Sequence, residues 1–223
     1  LSIHEKLIVI LDMGSKIQQC INTDEYDNIK SVVNDYLKEG IDHTLDETRN
    51  LSDSGQFEDI SLQQGIRQIL YPYEEMEVLN PEWEVILKDI IDSLFEQMSD
   101  EEYNILNEEF GTYMVSRAYE YRQLLEYLVF RYFAKSIYDY DFLGKCQMLV
   151  TNFFVIRQMD IIRWLDNHRE YSFKDRMDVV HIFSRQVEYS EDNIENLYED
   201  FIFDDIFKTD SLIAILWIDS ENI

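Results

Sequence analysis

The sequence predicts an all-α fold, an irregular helical bundle built around two long central helices. Three observations carry that prediction. The 223 residues contain only six glycines and two prolines, too few breakers for a turn-rich β fold. Two long apolar segments, residues 113–138 and 142–166, are joined by a short acidic hinge, Asp139-Tyr140-Asp141. The second contains MLVTNFFVIRQMDIIRWL (148–165), apolar on nearly every side, and such a helix belongs in the middle of a core. Capping signals then recur ahead of apolar runs along the chain.

Ser2 and Glu5 open a first amphipathic helix through Leu7, Ile8, Ile10, Leu11, Ile17 and Ile21. A second begins at Asp24, places Ile29, Val32, Val33, Tyr36 and Leu37 on one face, and stops at Gly40. Residues 1–39 thus read as an N-terminal helical hairpin. Residues 40–56, GIDHTLDETRNLSDSGQ, are polar and aperiodic and read as an acidic loop or linker. His43 there has no second His or Cys nearby and reads as a solvated side chain. Residues 57–223 form the main helical bundle, packed with 1–39 as one domain.

Within it, Ser61 and Gln64 start a helix expected to end near Pro72. Asn80-Pro81 starts the next, with asparagine as cap and proline in the first turn. Ser99 and Glu102 start a short one that Gly111 should end or kink. After the two long segments, Ser172 with Asp175 and Ser190 with Asn193 open two more. The last apolar run, 211–218, fits either a helix or a short strand.

The formal charge of −27 is the largest compositional signal. It repels phosphate backbones and anionic membrane surfaces, so nucleic-acid and membrane partners are not expected. A partner that presents lysines suits it. The apolar run around 148–156 is too short and too interrupted by charge to span a bilayer. Cys20 and Cys146, far apart and in no metal-type spacing, read as free thiols in a reducing compartment, which places the chain in the cytoplasm.

No glycine-rich phosphate loop and no dinucleotide-binding fingerprint is present. Asp178 and His181 stand three apart on a helix, but they are a single pair and the ligand set is incomplete, so no metal site is assigned. Charges inside the apolar helices are more informative. Arg157, Asp160 and Arg163 step by three along one face, and Arg131 and Lys135 are four apart. Buried charge must be paired or line a cleft. The local reading pairs Asp160 with Arg157 or Arg163 and sends Arg131 to a glutamate of a neighbouring helix. The cleft reading gathers Tyr127, Arg131, Tyr132, Arg157 and Asp160, with Arg185 and Glu188 from the 184–193 connection, into an aromatic, acidic-walled pocket suited to a lysine side chain.

Three segments carry a resemblance: LEYLVFRYF with AKSIYD (125–139), VIRQMDIIRWL (155–165) and SRQVEYSEDNIENL (184–197). Together they are similar to the C-terminal half of bacterial, clostridial-type flagellin lysine-N-methylases. The opening LSIHEKLIVILDMGSKIQ is similar to that family's helix after its cysteine-rich region. The resemblance implies methyl transfer from S-adenosylmethionine to flagellin lysines in the bacterial cytoplasm, with an iron–sulfur cluster held by an N-terminal cysteine cluster. Those cysteines are absent from these residues, so no catalytic or cofactor residue transfers to this chain. It is expected to be the helical domain of such a methylase, a piece of something longer that binds no cofactor itself and is inactive alone. The alternative is a non-catalytic acidic module that binds a basic protein.

Overall fold

A computed structural model describes residues 1–53 and 60–221. Among them there is helix and no strand, an all-α bundle. Its axis is α9 (Phe142–Asp166), flanked by α1 (Ile3–Asn22), α4 (Leu62–Glu74), α5 (Pro81–Ile90), α7 (Ala118–Tyr132), α10 (Phe173–Phe183), α11 (Glu191–Phe203) and α12 (Thr209–Glu221). Twenty of the 25 residues of α9 are buried, which is what a sequence apolar all round requires. Closest approach comes from α1, where a Cβ on Gly14 would stand 2.5 Å from the Cys146 sulfur, so only glycine lets the two helices meet there.

Most of the starts follow the capping chemistry. The Ser2, Ser99 and Ser172 hydroxyls accept from the Glu5, Glu102 and Asp175 amides, and those carboxylates answer back to the cap amides. Ser61, Asn80 and Ser190 cap α4, α5 and α11. The hinge is realised at Tyr140, whose φ of 57° reverses the chain between α8 (Ser136–Asp139) and α9. The 211–218 run is helical, inside α12.

Several boundaries differ from the sequence reading. The second helix starts at Tyr26, after Asp24 at φ 58°, and spans Tyr26–Asp35 as α2. Gly40 does not stop it: a wide π turn, Tyr36–Gly40, leads straight into α3 (Ile41–Asp53), so the polar stretch expected to be a loop is helical over those residues. The inward face of α3 includes Thr44 and Thr48, which are buried, beside Ile41 and Leu45, so its period is hidden in hydroxyl side chains. The Thr44 hydroxyl reaches Asp12 at 3.0 Å, and the Trp217 indole N–H donates to Thr48. The remainder of that stretch, 54–56, lies outside the described residues. His43 is exposed, 3.6 Å from Glu47.

Pro72 does not end α4, because a proline in the last turn forfeits one bond and continues to Glu74. Gly111 neither ends nor kinks α6 (Asp100–Met114). The first long apolar segment is not one helix. Short 3₁₀ turns at Val115–Arg117 and Phe133–Lys135 divide it into the end of α6, α7 and α8. Of its large apolar residues, Phe130 is 86% and Ile137 72% exposed, so α9 alone is central along its whole length.

Candidate functional site

The seven residues grouped from sequence separate into four places. Four of them meet. Where the π turn Ser184–Glu188 crosses α7, Glu188 accepts from the Tyr127 hydroxyl at 2.9 Å, the Tyr132 hydroxyl at 3.3 Å and the Ser184 hydroxyl at 2.6 Å. Arg131 donates to the Glu188 carbonyl at 3.4 Å and lies 5.6 Å from the Tyr132 ring, so it reaches the backbone of that glutamate and not its carboxylate. Burial, then the Glu188 carboxylate, push the Tyr127 phenol up to about 12. Tyr127 is half-exposed, and Phe130 and Tyr189 stand nearby in sequence as exposed aromatics. The result is a carboxylate just beneath an aromatic surface.

Arg157 and Asp160 are not part of that group. They sit about a turn apart on α9 and face other helices. Asp160 accepts from Tyr121 of α7 at 2.7 Å, from Tyr171, and from Arg176 of α10. Its cation is therefore Arg176, not Arg157 or Arg163 on its own helix. Arg176 also donates to Glu120 at 3.2 Å, and Arg117 forks onto Glu120 at 2.7 and 3.0 Å. Burial, with Asp160 alongside, pushes both tyrosine phenols up, so each stays a donor. Burial opposes the Arg176 charge, but Asp160 together with the Tyr121 and Tyr171 phenols drives that guanidinium up.

Arg157 belongs to a second buried group. Its terminal nitrogen donates to the Asn107 side-chain oxygen at 2.8 Å, and its Nε lies 3.6 Å from Asp219 of α12. Asp219 also accepts from Asn107 Nδ2 and meets His4 Nε2 at 2.7 Å. Burial alone would raise the Asp219 carboxyl, but Arg157 and His4 hold it at about 2. It is ionised at neutral pH, so the His4 Nε2 carries the hydrogen. These two groups tie α1, α6, α7, α10 and α12 to α9 and are largely buried, with His4, Tyr121 and Arg157 bordering a cavity of about 190 Å³. Neither presents a nucleophile or base to a substrate.

Arg185, grouped with Glu188 in the cleft reading, is instead exposed and lines a groove of about 510 Å³ with Arg163, Asp178 and His181. Asp178 is bridged to Lys174 at 2.7 Å, and among the described residues no group of three or more His, Cys, Asp or Glu side chains could hold a metal. Cys20 and Cys146 are both buried and unbridged, and burial pushes the Cys146 thiol up. No described helix is long and apolar enough to cross a membrane.

The sequence pattern did not single out Arg176, Tyr121, Tyr171 or Asp219. Arg176 sits in KDRMD, which has the polarity of a solvated face, and nothing local signals a partner 16 residues upstream. Asp219 had only one available hint, its place just after the apolar run 212–218.

The family model described as the FliB lysine N-methylase C-terminal domain matches residues 1–215. The chain belongs to that family. No curated protein and no solved structure matches the chain. The match takes in all of α1 to α11 and most of α12, so the buried networks around α9 lie within the FliB C-terminal domain apart from Asp219 itself.

Proposed function

We propose that the chain is the substrate-side helical domain of a flagellin lysine N-methylase, one that transfers methyl groups from S-adenosylmethionine to protein lysines in the cytoplasm. The match to the FliB lysine N-methylase C-terminal domain over residues 1–215 carries this reading. Two features support it. A net charge of −27 attracts a lysine-bearing protein at long range. Beneath Tyr127 on α7, the Glu188 carboxylate offers the aromatic and anionic surroundings that an ammonium group favours.

The iron–sulfur group implied by the family does not fit the donors of this chain. A cluster takes about four cysteine thiolates, whereas the sequence holds two cysteines, both in the helical core. Helix alone among the described residues also leaves no strand edge for a nucleotide-type cofactor fold. The role we assign to these 223 residues is therefore binding, with methyl transfer requiring more than they supply.

The test is methyl incorporation into flagellin from labelled S-adenosylmethionine, under anaerobic, reconstituted conditions, with the 223-residue chain and with the product of the complete reading frame. Incorporation is expected from the second only, and the chain alone should bind flagellin with an affinity that falls as salt rises. Turnover by the chain alone, or no salt-sensitive binding, overturns the assignment. Binding without turnover by either would favour a non-catalytic acidic module, a reading that the same anionic surface also supports.

A further inference from the structure

Charges of both signs line the groove between α5, α9 and α10. Arg163 and Arg185 line it, and neither has a carboxylate within ion-pair distance among the described residues. Asp89 and Asp166 line it as well, equally without a cation. A second observation points the same way. Asn80, only 3% exposed, lines the groove, and its Nδ2 has no hydrogen-bond acceptor. Its Oδ1 caps α5 by accepting from the Glu82 amide at 3.3 Å, which fixes the amide orientation and leaves a donor as the orphan.

The two signs are separated along the groove. Gln186 accepts from the Leu79 and Asn80 amides at 2.9 and 3.2 Å, which brings the neighbouring Arg185 to the Asn80 end. Trp83 and Phe183 pack with their ring centres 6.3 Å apart, so α5 and α10 run antiparallel past each other there. Asp89 therefore lies at the Asp178 end, nine residues or about 13 Å of helix axis from Asn80. Arg163 also lies at that end, where its charge acts on Asp175 and Lys174. Asp89, Asp166 and Asp178 outnumber it. Between Arg185 and Asp178 the axial distance is about 10 Å. Glu82, at the Asn80 end, is exposed and screened by solvent.

We propose that this groove binds an extended small zwitterion, an ω-amino-acid type of molecule. Its carboxylate is held by Arg185 and the Asn80 Nδ2, and its ammonium by the carboxylates around Asp178. Such a ligand satisfies the buried orphan donor, Arg185 and the carboxylates of Asp89 and Asp166 at once. A monovalent ligand of either sign leaves one set unmet.

Calorimetric titration of the chain with ε-aminocaproate, caproate and hexylamine tests this, since the three share a carbon chain and differ only in their charged ends. ε-Aminocaproate is expected to bind at least about tenfold more tightly than either of the others, a difference of about 1.4 kcal/mol. Arg185→Met, a change at an exposed side chain, should lower its affinity about tenfold with the melting temperature unchanged. Asn80→Asp keeps an oxygen to cap α5 and replaces the donor with a carboxylate oxygen that repels the ligand's carboxylate, and should weaken binding at least as much. No heat from ε-aminocaproate at millimolar concentration overturns the proposal. So does equal binding of caproate or hexylamine, or undiminished affinity in Arg185→Met.

Discussion

The segments 113–138 and 142–166 look alike as text, each a long apolar run broken by a few charges, yet the structure treats them differently. In α9 the charges at mid-helix are enclosed: Arg157 is 2% and Asp160 0% exposed, each held by side chains from other helices. In the first segment, Arg122 meets only the exposed Glu126 at 3.7 Å, and the apolar residues Phe130 and Ile137 face outward. Hydrophobic content alone therefore does not decide which helix becomes the core. What separates them is the period. Alternation of apolar and polar residues leaves α7 with one buried stripe, Tyr121, Leu124, Leu125, Leu128 and Tyr132, whereas α9 has no polar side to turn outward. Buried charge marks architecture in this molecule, and exposed aromatic surface is where a partner has something left to bind.

The sharpest test of that contrast is Arg176→Met. It leaves Asp160 and Glu120 with reduced compensation inside the bundle, and removing one partner of a buried pair costs about 3–5 kcal/mol. Urea unfolding should show that loss. A change under about 1 kcal/mol would mean that the cluster around Asp160 is dispensable to the fold, and would return it to the list of functional candidates.

How far α3 belongs to the bundle is the next question. The sequence hid this helix for a physical reason: its buried positions include Thr44 and Thr48, polar by composition but satisfied by Asp12, by Trp217 and by the helix's own carbonyls. The capped helices were legible because a cap is a short-range event that is written in four residues. The division of 113–138 into α6, α7 and α8 was not, because 3₁₀ turns cost little and leave no composition signal. The site followed the same rule. Tyr127, Arg131, Tyr132 and Glu188 were grouped correctly from their place on neighbouring elements, while the partner of Asp160 lay on a helix whose packing angle no local pattern records. Asp46→Pro removes a helical N–H in mid-α3 and should cost about 3 kcal/mol, against nearly nothing if residues 41–53 were a loop. Circular dichroism together with urea midpoints separates the two.

Acid should act on the buried side of the comparison before the exposed side suffers. Asp219 is held at about 2 in the folded protein, whereas an unfolded aspartate titrates near 3.9. Its stabilisation is therefore present in full above about pH 4 and is lost as pH falls from there toward 2, about 2.5 kcal/mol in all. Protonating surface carboxylates slightly higher on the pH scale relieves the repulsion of a −27 chain and works in the opposite direction. Stability should consequently be flat or rising from pH 6 to about 4.5 and fall steeply below about 4. A carboxyl carbon resonance of Asp219 that titrates near pH 4 would show that Arg157 and His4 do not hold it.

The smallest expected effect lies at the exposed side of α7. Phe130→Ser changes a side chain that is 86% exposed, so stability should stay within about 0.5 kcal/mol of the parent, against about 3–5 kcal/mol for Phe153→Ala in α9. The same substitution should weaken flagellin binding several-fold, because an aromatic ring on an otherwise strongly charged surface contributes mainly when a partner covers it. A stability loss of several kcal/mol would place Phe130 in the core and erase the distinction between the two segments. Unchanged stability with unchanged flagellin binding would move the partner's contact away from α7.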